Sequence, residues 1–102
     1  MTAAHPLPPL SAGTPHEEVR ERISTVWRDL FAEPGLRIGD EDNFFALGAS
    51  SLLAMRMVTT LSEELGVPLS VLAVVENPTL GGLTRHVREL AAAGQAREVG
   101  EL

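Results

Sequence analysis

Cysteine is absent from the 102 residues, which removes disulfide frameworks, thiolate metal sites and cysteine nucleophiles together. Aromatic residues make up only 4%, too few for a platform on which single-stranded nucleic acid stacks. Basic residues are also scarce. Eight Lys and Arg stand against 14 Asp and Glu, leaving a formal net charge of −6. A phosphate-backbone partner needs a basic patch, so this balance argues against nucleic acid and favours basic protein surfaces. No apolar run approaches the ~20 residues of a membrane span. The N-terminus lacks the basic start and apolar stretch of a signal peptide. A monomeric, cytoplasmic protein with no membrane partner is the expectation.

Catalytic motifs are missing as well. His5, His16 and His86 are scattered and lack the paired spacing of a metal site, so no metal is expected. None of them is placed by the sequence beside Ser50 or Ser51, which leaves a hydrolytic triad without a base. No phosphate-loop or dinucleotide glycine pattern occurs. The carboxylates lie in polar contexts rather than as a convincing pair. The chain does not read as an enzyme.

What is present is one small domain of helical pattern. Residues 1–14 hold three of the seven prolines and read as a flexible N-terminal tail. Thr14 with Glu17 fits a capping box, and Pro15 suits the first helical position. Val19, Ile23, Val26, Trp27 and Leu30 recur at helical spacing, and Pro34-Gly35 stops the run. Between 36 and 49, Leu36, Ile38, Phe44, Phe45 and Leu47 are too apolar for a free loop, so an ordered loop folded onto the core is expected. Within it, Asp40-Glu41-Asp42 reads as a solvated turn, with reception of a basic partner as the weaker reading.

A second helix is predicted over Ser51–Leu65, ended by Gly66 and Pro68. At 100° per residue, Ala54, Met57, Val58, Leu61 and Leu65 share one face. Leu52, Arg56, Thr59 and Glu63 lie opposite, with Met55 at the edge. Two apolar residues on the outer face admit two readings, a partner contact or cover by the adjacent loop. Ser70 caps a short helix over 71–75, and Asn77-Pro78-Thr79 opens a last one striped by Leu80, Leu83, Val87 and Leu90. Arg85, His86, Arg88 and Glu89 fall mostly on the other face. Gly94 is expected to end this helix, leaving 95–102 as a frayed C-terminal tail around a folded unit of residues 15–94. No run shows strand alternation. The fold class is all-α, a small four-helix bundle of three longer helices plus one short one.

The stretch that organises the chain is Asp42-Asn43-Phe44-Phe45-Ala46-Leu47-Gly48-Ala49-Ser50-Ser51-Leu52. It holds an aromatic anchor, a small-residue bend and two serines in front of a helix. A serine there is a cap, a nucleophile or an attachment point. Free N–H groups and the helix macrodipole suit a phosphate ester on its oxygen. Without a base it is a poor nucleophile, so another protein would have to supply the chemistry.

Extended to Leu53-Ala54-Met55-Arg56, this run resembles the core motif of the peptidyl carrier (thiolation) domains of nonribosomal peptide synthetases, within the phosphopantetheine-binding carrier proteins. Val26-Trp27, Gly66-Val67-Pro68-Leu69 and Asn77-Pro78-Thr79-Leu80 sit where such domains carry similar residues, so the resemblance spans about Thr14 to Leu90. It implies a carrier-protein-like bundle in which Ser51, the serine directly before the Leu, bears covalent 4′-phosphopantetheine. A phosphopantetheinyl transferase would move that arm from coenzyme A. The domain would then shuttle a thioester-bound amino or aryl acid between an adenylation enzyme and condensation or tailoring enzymes. Leu52, Met55, Arg56 and Thr59 would form the face those partners read. Two departures stand out, Ala49 for the usual second glycine and Ser50 for the usual His or Asp. The alternatives are an acyl carrier protein of a polyketide or fatty-acid pathway, and a carrier-like interaction module that is never modified. The start at Met1 suits a free-standing carrier, and a domain of a larger synthetase would look similar.

Overall fold

The computed structural model describes Leu10 and residues 13–100, with side chains through Gly94. Four helices follow one another: α1 (His16–Phe31), α2 (Ser51–Leu65), α3 (Val71–Glu76) and α4 (Leu80–Gly100). α1 packs against α2 and α4, and the short α3 packs against α2 and α4. Among the described residues there is no strand, only an isolated bridge between Asn43 and Thr79. The all-α bundle of three longer helices plus one short helix is the architecture observed.

The apolar stripes go where the 3.6-residue period sends them. Val19, Ile23, Val26 and Trp27 of α1, Ala54, Met57, Leu61 and Leu65 of α2, and Leu80, Leu83 and Val87 of α4 are buried together. Val74 of α3 and Phe44 of the long loop join that core, both fully buried. The Phe44 ring lies 5.0 Å from Trp27, 5.5 Å from Phe31 and 5.6 Å from Phe45, all tilted or edge-on as aromatic quadrupoles prefer. The expected ordered loop is therefore a core element, tethered at its middle by an aromatic cluster.

Helix ends depart from expectation in three places. At the start of α1 the cap falls one residue later than expected. Pro15 is the N-cap and offers no side-chain bond, so α1 begins at His16. The Thr14 carbonyl accepts from Arg88, whose Nε donates at 3.2 Å, and the Leu10 N–H donates to the Leu65 carbonyl at 2.9 Å. Where it is described, then, the lead-in is tied to the bundle; residues 1–9, 11 and 12 lie outside the described residues.

At the other end of α1 the chain turns before Pro34-Gly35. Ala32 adopts the left-handed conformation (φ 56°), and its N–H reaches back to Arg28 and Asp29. Finally, α4 runs through Gly94 to Gly100. One glycine costs a helix about 1 kcal/mol against alanine, and the Ala91-Ala92-Ala93 run before it offsets that. Residues 101 and 102 lie outside the described residues.

The long loop is also stitched to the start of α4. The Leu80 N–H donates to the Asp42 carbonyl (3.1 Å) and the Gly81 N–H to the Asp40 carbonyl (2.9 Å). The Gly82 N–H donates to Thr79 Oγ1 (3.1 Å). Three of the four N–H groups that a helix start leaves open are thereby satisfied. The two glycines permit the approach, since a Cβ at Gly81 would sit 3.2 Å from the Asp40 carbonyl oxygen and one at Gly82 would sit 2.9 Å from Thr79 Oγ1. Asp40 also pairs with Arg20 of α1 at 3.5 Å, and Asp42 Oδ2 accepts the Gly39 N–H at 2.7 Å. The acidic run is a structured turn.

Candidate functional site

The site grows from the loop that enters α2. Asn43 Oδ1 accepts the N–H groups of Phe45 (2.8 Å) and Ala46 (3.1 Å), a side chain imitating the carbonyl of a turn. The Asn43 carbonyl accepts from Leu47 (3.0 Å) and the Phe45 carbonyl from Gly48 (3.1 Å). Gly48 then takes φ 110°, which an L side chain adopts only under strain. Ala49 shows no positive φ, so a side chain is tolerated where the family pattern has its second glycine.

The two serines part here. Ser50 is the N-cap of α2, extended at φ −95° and ψ 172°, and its Oγ accepts the Leu53 N–H at 3.2 Å. Ser51 is the first residue of the helix and is exposed, and its hydroxyl makes no hydrogen bond among the described residues. No acidic residue stands in the first turn of α2, so the partial positive charge of the helix start is left uncompensated.

Around it the outer face of α2 is apolar. Leu52 is 66% and Met55 55% exposed, and the preceding loop covers neither. Together with Arg56, Thr59 and Thr60 they line a shallow hollow of about 360 Å³. The structure thus brings Leu52, Met55, Arg56 and Thr59 to one surface beside Ser51. Sequence reasoning missed a neighbouring feature. On α3, Leu72 is 64%, Val75 55% and Val71 36% exposed. The signal was available, because a six-residue helix with four large apolar residues cannot bury all of them on one side.

No group of three or more His, Asp or Glu capable of holding a metal ion occurs among the described residues. No helix among them is long and apolar enough to cross a membrane.

Comparison with known proteins bears on this geometry. The family model described as "Phosphopantetheine attachment site" matches residues 21–87, about two-thirds of the chain. Surfactin synthase subunit 3 of Bacillus subtilis is 34% identical over 80 residues, covering 78% of this chain and 6% of that protein. Phosphinothricin tripeptide synthetase PhsC of Streptomyces viridochromogenes is 40% identical over 73 residues, covering 70% of this chain and 6% of the relative. The chain thus spans a small fraction of these curated relatives. In fold it is similar to BlmI, a type-II acyl-carrier-protein from Streptomyces verticillus, with a TM-score of 0.66 and 24% identity over 72% of this chain and 87% of that one. A docking domain complex of the Pax NRPS gives the same TM-score at 21% identity, over 99% of this chain and 93% of that one.

Proposed function

The chain belongs to the phosphopantetheine attachment-site family, as a carrier domain of the kind built into nonribosomal peptide synthetases, and we propose that Ser51 is the residue that bears its 4′-phosphopantetheine. The observation that carries this reading is the division of labour between the serines. The Ser50 hydroxyl is occupied in capping α2, whereas the Ser51 hydroxyl is exposed and unengaged.

The residues around Ser51 fit such a group. An exposed hydroxyl can reach the active site of another protein. A first turn without carboxylates accommodates a phosphodiester, and the open N–H groups of the helix start favour its charge. The Ser51 hydroxyl has no hydrogen-bond partner among the described residues, so its proton would pass to a group of the phosphopantetheinyl transferase. Ser51 Oγ would bond the pantetheine-side phosphorus of the coenzyme A diphosphate as the bond from that phosphorus to the bridging oxygen breaks, with adenosine 3′,5′-bisphosphate as the leaving group. When bound, the arm supplies a terminal thiol that holds an acyl group, here read as an amino or aryl acid.

Every other contribution of the chain is presentation. Leu52 and Met55 supply apolar contact area, and Arg56 and Thr59 supply the polar rim that partners read. Those partners are the transferase, an adenylation enzyme and condensation or tailoring enzymes. The proposed working unit is residues 15–94, a cytoplasmic monomer with no chemical step of its own.

Intact mass after incubation with coenzyme A, Mg²⁺ and a broad-specificity transferase tests the reading. One phosphopantetheinyl group gained by wild type and Ser50→Ala, and by no molecule of Ser51→Ala, is the expected result. No gain by wild type would leave an interaction module whose serine is never modified.

A further inference from the structure

We infer that Asn43 is a positioning residue for transfer onto Ser51, although it lies eight places before that serine and outside the exposed face of α2. The inference rests on Ser51 being the acceptor. Two sets of contacts meet at Asn43. On one side it belongs to the bundle. It forms the isolated bridge with Thr79, the cap of α4, and the next N–H, that of Phe44, donates to the Pro78 carbonyl at 2.8 Å. The Phe44 ring is fully buried against Trp27 and Phe31. On the other side Asn43 builds the turn that leads to the serine. Its Oδ1 takes two successive N–H groups, Phe45 and Ala46, and its carbonyl takes a third, Leu47.

From Asn43 to Gly48 every backbone N–H except that of Asn43 itself is accounted for by these bonds. The chain then has two residues, Gly48 and Ala49, before the Ser50 cap closes on Leu53. The backbone of the serine loop is thus last tied to the start of α4 at Asn43 and Phe44. Without Oδ1, two N–H groups of the turn lose their acceptor, and the partly exposed loop turns to water instead. The Phe44 anchor stays, so the bundle persists while the approach to Ser51 loosens. A misplacement of about 1 Å at a reacting atom costs on the order of 100-fold in rate.

The role separates from simple stability because the partner face lies on α2. Leu52 and Met55 keep their places when the loop loosens, so a transferase should dock as before and transfer more slowly. The experiment is steady-state loading of the full chain with coenzyme A and the same transferase, on wild type, Ser51→Ala, Asn43→Ala and Asn43→Asp, with amide exchange on each. Aspartate retains an oxygen at the same reach. Asn43→Ala should load with kcat reduced tenfold or more and KM within about twofold, with Phe45 and Ala46 amides deprotected and α1 core amides unchanged. Asn43→Asp should recover most of kcat. Wild-type kcat in Asn43→Ala, a loss confined to KM, or no recovery by Asn43→Asp would overturn the inference. Because wild type and Ser51→Ala run alongside, failure of the attachment site itself is read separately.

Discussion

The Ser50 hydroxyl accepts the Leu53 N–H at 3.2 Å, which makes Ser50 the cap of α2. Its chain neighbour Ser51 is turned out of that arrangement by the geometry of a helix start. The N-cap residue is extended and folds its side chain over the first turn, while the first helical residue already has helical angles and points its side chain outward. One residue of register therefore separates a structural hydroxyl from a presented one.

Ser50→Ala should lower stability by about 1 kcal/mol, the usual cost of losing an N-cap, and should still accept the arm. Ser51→Ala should leave stability within about 0.5 kcal/mol of wild type, as surface changes do, and accept nothing. Urea unfolding and intact mass on the same samples check both halves.

Met55→Ala should leave the melting temperature nearly unchanged, because the side chain is 55% exposed. Loading by the transferase should weaken several-fold through KM. Met57→Ala, two residues on and fully buried, should instead cost about 2–5 kcal/mol. The pair compares the two faces of one helix by thermal melting and loading kinetics. A large thermal loss at Met55 would place it in the core.

Phe44→Ala should be among the most damaging single changes. Removing a buried phenylalanine costs about 3–5 kcal/mol, against a total near 5–10 kcal/mol for a domain of this size. The ring also joins Trp27, Phe31 and Phe45, so near-ultraviolet circular dichroism should collapse with it.

Two glycines of α4 should respond with opposite signs. Nothing lies within 4 Å of a Cβ at Gly94, so Gly94→Ala should stabilise by about 0.5–1 kcal/mol through helix propensity. At Gly82 the added methyl would meet Thr79 Oγ1 at 2.9 Å and displace the hydroxyl that caps the helix. Gly82→Ala should therefore destabilise by about 1 kcal/mol despite the same propensity gain. Urea midpoints of the two variants check the contrast.

Much of this molecule was legible in its residues. Period 3.6 placed Val19, Ile23, Val26 and Trp27 in the core, Gly66 and Pro68 ended α2 where they stand, and Ser70 capped α3. Those signals are local, since side-chain spacing and backbone angles act within a turn or two. The apolar loop was legible for the same reason, because Ile38 and Phe44 had to leave water.

Contacts distant in sequence were decided only by the tertiary structure. Gly81 and Gly82 mean nothing as isolated glycines; they matter because Asp40 and Thr79 come to rest against them. Thr14 matches a capping box in the sequence, but Pro15 takes the cap and the Thr14 carbonyl turns to Arg88, 74 residues away. The exposure of Leu52 and Met55 was open until the loop's path was known, for a loop can fold over a helix face or away from it. Here Phe44 is drawn beneath Trp27 and Phe31, and Asn43 is held at Thr79. Burial of that ring, with backbone groups pairing only where the packed helices leave partners, keeps the loop off the face beside Ser51. Local chemistry wrote the helices and the serine pair; the packing of distant segments decided which hydroxyl and which apolar side chains meet the solvent.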